Sequence, residues 1–516
     1  MRIMLRNSAA SFIKKVLPGH RLGVFFLLIV ALSLRLVHLT RVLSGDELIL
    51  YDISRLGIKD LLRVLTAKEV YPPLTYIFLH YWSFLGSSPA WIRLYFVFFG
   101  VGVCMLVFLI ARDFLHEGAA KIALLLSAFS PLLIYSSQYV RSYGDSCFWM
   151  LLSVFFLLQI IKGKNGLIYW LGYFIACVAG IYTFYFSALL FFAQFIFMHI
   201  FYLRKKLIFK YYVALSLVVF AFLPWVKVAV RQFQNASSVA YDWSSIGFSL
   251  NGLRFGLYAR NILGVFGMDP YFMVYGKGIG QHFSKATLIV AVGVCFISLF
   301  LIFIATIRFL NNKFPKNSPL VWFFPILIIS PLLSAWVCAG LLNTLPAVKY
   351  FAFYNAIFLV FVSLIICSTF DNRRWLGFAF TLLIVAFYAY RLPQATAQEI
   401  EADKAASFLY ETMSTEDAVI CARSCPDREG GKQIIQLVSY LKLNKTGDSY
   451  EKLSREARDE LSVKLSPFKA IFFYRAYGNV EIFGANRIVE DLLEHAGFRK
   501  SSLNKFNNID VVKYEK

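Results

Sequence analysis

Charge is scarce in this chain. Asp, Glu, Lys and Arg supply 16% of its 516 residues, against about 25% in an ordinary soluble domain. With 59% hydrophobic and 18% aromatic residues, that deficit excludes a soluble globule. Acid is scarcer still over residues 1–392, which hold 11 acidic against 34 basic residues. The chain also lacks a glycine-rich phosphate loop and any H-x-x-x-H or C-x-x-C spacing, so nucleotide-dependent chemistry and a motif-built metal centre have no sequence support. No nucleic-acid motif accompanies the net charge of +22, and no nucleic-acid partner is expected. Cysteine adds little: six of the 8 Cys lie in apolar segments, and only Cys421 and Cys425 share a polar loop, where free thiols and a short disulfide are equally compatible.

What is abundant is long apolar sequence. Phe occurs 53 times, and the apolar residues form blocks of about twenty, the length that crosses hydrocarbon as a helix. Eleven spans are predicted: 22–39, 92–111, 119–136, 147–161, 167–182, 186–203, 211–227, 286–307, 319–340, 351–370 and 376–392. Arg2, Arg6, Lys14, Lys15 and Arg21 precede the first and hold the N-terminus in the cytoplasm. Arg35 and His38 interrupt that apolar run, and no small-residue cleavage site follows it, which argues against a signal peptide. Basic residues then cluster in alternate connections: Arg112 with Lys121, Lys162 with Lys164, Arg204 to Lys210, Arg308 to Lys316, and Arg373 with Arg374. All of these are cytoplasmic if residues 72–86, short and opened by Pro72-Pro73, lie in the outer interface rather than crossing.

Two regions follow: a transmembrane domain over 1–392 and an extracytoplasmic α/β domain over 393–516, where 18 basic and 19 acidic residues nearly balance. In the second, helices are predicted at Gln394–Met413 and Arg487–His495, with strands at Ala418–Cys421, Lys469–Tyr474 and Asp510–Tyr514. The connection 228–285 is expected to be a long loop over the outer face. The whole is a multi-pass protein of the cell inner (plasma) membrane, with its second domain periplasmic and membrane lipids as constant partners.

The acidic residues of the first region collect on one side. Asp46, Glu47, Asp52, Asp60, Glu69, Asp145, Asp242 and Asp269 all fall in outward connections. A carboxylate at the lipid boundary, partly desolvated, suits a general base acting on a hydroxyl; the bland alternative for Asp46 and Glu47 is a solvated loop end. Arg141, beside Gln138, Tyr143 and Asp145, suits an anionic phosphate, or else a polar network that only ties helices together.

The order of motifs is more specific than any one of them. Asp46-Glu47, then Glu69-x-Tyr71-Pro72-Pro73-Leu74, Trp91-Ile92-Arg93-Leu94, Ser137-Gln138-x-x-Arg141-x-Tyr143, Thr183-Phe184-Tyr185-Phe186 and Leu223-Pro224-Trp225 together resemble the bacterial branch of the dolichyl-phosphate-mannose protein mannosyltransferase family. That is glycosyltransferase family 39 with its relatives, the lipid A aminoarabinose transferases among them, in the C-type glycosyltransferase superfamily.

The resemblance covers residues 22–235 most strongly. It implies an all-α polytopic fold of about 11 helices with interfacial helices in the first outer loop. The implied reaction is inverting transfer of a hexosyl or pentosyl group from a polyprenyl-phosphate sugar donor to a hydroxyl of a glycan, lipid or protein in the cell envelope. Carried over by position, Asp46 matches the proposed base, and Glu47 and Glu69 its neighbouring carboxylates. Arg141 and Lys349, with Tyr143 and Tyr350, match donor-phosphate binding. Arg35, Gln138, Asp145, Tyr182 and Tyr185 line the substrate pocket. The family often has His at Tyr71 and an acidic residue at Tyr139, which leaves the acceptor pocket and any metal site open. No cofactor is required, and a divalent cation is compatible with the reaction. A transporter or lipid flippase is the reading from another class, and a polysaccharide polymerase or ligase the nearer one; charges at span midpoints and paired halves would mark the former, a diphosphate-linked donor the latter.

Overall fold

The computed structural model describes residues 21–239, 322–330, 350–369, 374–414, 416–421, 433–436, 455–476, 485–506 and 509–516, less positions 42, 44, 45, 68, 115, 116, 351 and 396. The predicted span 286–307, most of 319–340 and the Cys425 loop lie outside them.

The first helix, α1 (Arg21–Leu36), is followed by three short helices before the next long one: α2 (Asp46–Arg55), α3 (Ile58–Ala67) and α4 (Leu74–Ser83). Interfacial helices were expected in this loop, and only residues 72–86 were assigned to one. The other two form because Leu48 and Tyr51 on α2, and Leu61 and Leu65 on α3, recur at helical spacing and bury against Tyr76, Leu79, Ile92 and Phe96 in a small core of their own. α4 is locked to the following helix by Trp82 and Trp91, stacked at 4.9 Å, each indole N–H donating to the other's backbone carbonyl.

The long helices α5 (Pro89–Phe114), α8 (Gly144–Ile161) and α9 (Leu167–Thr183) pack side by side in chain-skipping order, and α10 (Ser187–Tyr202) and α11 (Leu207–Val239) extend the layer. Their buried faces share one apolar core with α12 (Ala352–Thr369) and α13 (Arg374–Ala395). Leu22, Phe25, Phe26, Phe209 and Phe220 stay exposed on the outside, as a lipid-facing surface requires. Among the described residues, the helices over 89–113, 144–161 and 207–234 are long and apolar enough to cross a membrane, and five shorter apolar helices accompany them.

One predicted span is corrected. Residues 119–136 are not one helix but α6 (Glu117–Phe129) and α7 (Pro131–Gln138), bent by 57°. Pro131 has no N–H, so the carbonyl four residues earlier, on Ser127, loses its helical donor. Arg35 supplies it: Nη2 donates to Ser127 O at 3.2 Å, Nη1 to Ala128 O at 3.2 Å and Ala31 O at 3.0 Å, and Nε to Ser137 Oγ at 3.1 Å. Gly100 on α5 lets Ser137 come this close, since a Cβ there would collide with its Oγ. The boundary of α11 is also corrected, because residues 228–239, expected in a loop, continue the helix to about 50 Å.

Past α13, α14 (Ala397–Thr412) leads into a five-stranded sheet built of β1 (Ala418–Cys421), β2 (Gln433–Gln436), β3 (Ala470–Ala476), β4 (Arg499–Phe506) and β5 (Ile509–Glu515) in the order β2-β1-β3-β5-β4. β1 runs parallel to β2 and β3, while β5 is antiparallel to β3 and β4. Alternation decides the layers. Ile420, Ile471, Phe473 and Val512 face α15 (Arg455–Leu465) and α16 (Ala485–His495), whereas Val419, Phe472 and Val511 face α14. α15, β2 and β4 were not predicted; β4 is an edge strand exposed along most of its length, so its sequence carries no apolar alternation.

Candidate active site

Asp46 is the first residue of α2, where the helix dipole favours a carboxylate. Its Oδ1 lies 3.3 Å from Arg141 Nη2; the Asp46 side chain is 35% exposed and that of Arg141 only 5%. Arg141 sits in the turn between α7 and α8, which is held tight by backbone bonds from Arg141 N to Tyr139 O (2.8 Å) and from Tyr143 N to Arg141 O (2.7 Å). The Tyr71 ring covers one face of the guanidinium, its centroid 5.0 Å from Cζ. Arg141 Nε and Nη1 are buried and have no hydrogen-bond partner among the described residues. Burial opposes the guanidinium charge, but the Asp46 carboxylate beside it favours that charge, and its pKa is pushed well up.

Around this pair stand rings. Tyr71 and Tyr143 share a hydrogen bond at 3.2 Å between hydroxyls, and burial pushes both phenols up, so they are neutral hydroxyl donors at any ordinary pH. Tyr350 packs 5.5 Å from Tyr143 and 5.7 Å from Phe184, and Tyr135, Tyr139 and Phe186 complete the wall. Glu69, half-buried, accepts from Tyr76 OH at 3.3 Å. Asp46, Arg141, Tyr143 and Tyr350 are therefore brought into one cluster, with Glu69 in the strand of chain leading to Tyr71. Lys349 lies outside the described residues.

Other expected site residues serve different ends. Glu47, expected beside the base, is fully buried: Oε2 meets Arg93 Nη2 at 2.8 Å, and Oε1 accepts from Arg93 Nε at 3.3 Å and Val140 N at 3.1 Å. Arg35, expected in the substrate pocket, has its guanidinium nitrogens engaged at the α6–α7 break described above. Gln138 Nε2 caps α1, donating to Arg35 O at 3.0 Å and Val37 O at 2.8 Å, where the chain leaves the helix through His38 at φ 58. Asp145 is buried and pins α4, accepting from Thr75 Oγ1 at 2.7 Å and Ser146 N at 2.9 Å. Tyr182 donates to Ala221 O at 2.9 Å, which ties α9 to α11.

Two residues were missed. Arg93, besides gripping Glu47, donates from Nε to Gln138 O at 3.1 Å and from Nη1 to Leu39 O at 3.0 Å and to Arg41 O, so one side chain gathers the ends of α1, α7 and α5. A lone arginine at the start of an otherwise apolar span was its sequence signal. Gln232, on the outer extension of α11, is fully buried and bonded to Leu65 O, Tyr71 O and Tyr185 OH; nothing in its sequence context marks it. Among the described residues, no group of three or more His, Cys, Asp or Glu is placed to hold a metal ion.

No family model and no curated protein matches the chain. Solved structures do. ArnT from Cupriavidus metallidurans in the apo state is 12% identical with a TM-score of 0.52, over 95% of this chain and 97% of that one. The chain shares its fold with that structure. The oligosaccharyltransferase of Archaeoglobus fulgidus shares it, at 15% identity and a TM-score of 0.50 in the apo form, over 87% of this chain and 69% of that chain. The same enzyme tethered to an acceptor peptide containing the NVT sequon matches at 13% identity and 0.50, over 87% and 68%. These likenesses bear out a mostly helical fold with a small mixed sheet.

Proposed function

We propose that the protein is an inverting glycosyltransferase that moves a sugar from a polyprenyl-phosphate donor to a hydroxyl acceptor at the outer face of the membrane. The observation that carries this reading is Arg141: one guanidinium nitrogen is held by Asp46, and two buried nitrogens have no partner among the described residues. A buried, unsatisfied N–H costs about 1–3 kcal/mol per group unless something accepts from it, and phosphate oxygens are strong acceptors for guanidinium N–H groups. The fold shared with ArnT and the oligosaccharyltransferase, both users of polyprenyl-phosphate-linked donors, supports the same chemistry.

In this reading Asp46 takes the proton of the acceptor hydroxyl as its oxygen bonds to the anomeric carbon from the face opposite the phosphate. The bond from that carbon to the phosphate oxygen breaks, and the lipid phosphate leaves with one more negative charge. Arg141, Lys349 and the hydroxyls of Tyr143 and Tyr350 bind that growing charge, which lowers the barrier because the interaction strengthens along the reaction. Glu69 adds negative charge near the acceptor side. The N-terminus is cytoplasmic, residues 40–91 and 393–516 are outside, and the C-terminal α/β region forms a separate extracytoplasmic domain.

Donor depletion in membranes supplied with defined polyprenyl-phosphate sugars tests the reaction. Consumption by the unchanged protein and none by Asp46→Asn is expected. Equal consumption by both would remove Asp46 as base and shift that role to Glu69.

A further inference from the structure

The bonding of Gln232 does more than fill space. Its Nε2 donates to two backbone carbonyls of the first outer loop, Leu65 O at 2.8 Å and Tyr71 O at 3.0 Å, while its Oε1 accepts from Tyr185 OH. Tyr185 OH in turn accepts from Trp225 Nε1 at 2.9 Å. The relay thus begins and ends on α11, and the loop it grips is the one that ends in Tyr71. Tyr71 lies over the Arg141 guanidinium and bonds Tyr143, so its position bears directly on that of the guanidinium. Of the uncharged side chains long enough to reach, an amide alone offers two donors and an acceptor at one place.

We propose that Gln232 is a positioning residue: through the Tyr71 carbonyl it fixes the Tyr71 ring, and so holds the Arg141 guanidinium in place for the lipid phosphate. This rests on the phosphate reading of Arg141. It makes α11 a lever on the donor site. A shift of that helix moves Tyr71 without touching Asp46 or Arg141 directly.

The informative variant is Gln232→Glu, which keeps length and acceptor but faces two carbonyls with a group that has no donors when ionised. The full-length protein in lipid nanodiscs gives two readouts. Amide hydrogen exchange over residues 65–72 should rise while that of α8 is unchanged. Affinity for undecaprenyl phosphate should fall at least about tenfold, because both carbonyls lose their buried donor, and this loss should vanish when Tyr71 is already Leu. Tyr185→Phe, a milder change that removes one neutral hydrogen bond, should weaken binding about fivefold in the same direction.

Unchanged exchange would overturn the clamp. Raised exchange with unchanged affinity, or an affinity loss of equal size in the Tyr71→Leu background, would overturn its service to the phosphate site. Undecaprenyl phosphate bound as tightly by Arg141→Ala as by the unchanged protein would instead sink the phosphate reading, and the exchange result would then say separately whether the clamp exists.

Discussion

Asp46 and Glu47 are neighbours in the chain, each faces an arginine, and the two pairs differ in nearly every other respect. The Glu47–Arg93 pair is sealed, with both side chains at 0% exposure and both carboxylate oxygens taken. The Asp46–Arg141 pair is open on one side: the carboxylate is 35% exposed and the guanidinium has two nitrogens without a partner among the described residues. A saturated buried pair can hold chain segments together but has nothing left to offer a ligand. An unsaturated pair at the edge of a pocket is costly to keep unless a ligand completes it. The first builds the platform on which the second stands, since Arg93 fixes the chain on both sides of Asp46 and the carbonyl of Gln138, three residues before Arg141.

Four variants would break or sharpen that contrast, from the largest expected effect downward. Arg93→Met leaves Glu47 buried without its cation, and unfolding in detergent should show a loss of about 3–5 kcal/mol; a loss under about 1 kcal/mol would show that the pair is not the platform. Asp46→Asn should be the reverse case. Its half-exposed pair is discounted by solvent, so stability should change by less than about 1 kcal/mol, while transfer falls by roughly a hundredfold or more.

Arg141→Lys keeps the charge and removes the fork. Turnover should fall about ten- to a hundredfold, the worth of one charge-assisted hydrogen bond, with the thermal midpoint nearly unmoved; normal turnover with a lowered midpoint would make Arg141 a structural residue like Arg93. Gln138→Ala should cost about 1 kcal/mol of stability through lost capping of α1, with turnover retained. A turnover loss larger than that stability change would restore Gln138 to the substrate pocket.

The motifs in the first half of the chain were legible because a membrane makes charge conspicuous. In apolar surroundings each Arg or carboxylate must have a partner or a function, so Asp46, Glu47, Arg141 and even Arg35 stood out, and the motif order pointed to the fold that the structural likeness bears out. Which role each takes was not legible. Arg35 reads as a pocket residue until Pro131 is seen to free the carbonyl that it serves. Gln138 reads as a substrate contact until the end of α1 is seen beneath it. Gln232 had no signal at all, because its partners are two backbone carbonyls more than 160 residues earlier in the chain, and a carbonyl leaves no mark in sequence. In the C-terminal sheet, β1, β3 and β5 were found by their short apolar runs, while β4 was missed because an exposed edge strand has no need of one.

The sequence by itself determined an apolar helical body, the strongly uneven distribution of acid and base along the chain, and the placement of Asp46, Glu47 and Glu69 just after the first apolar helix. These follow from local composition and the approximately 30 Å thickness of hydrocarbon. Only the tertiary structure decided which of two adjacent carboxylates is sealed and which is open. Glu47 meets an arginine 46 residues away that is already bonded to several backbone carbonyls, whereas Asp46 meets one in a tight turn, two of whose nitrogens have no partner among the described residues. The difference lies in how many acceptors long-range packing brings to each guanidinium, a quantity that no stretch of sequence contains.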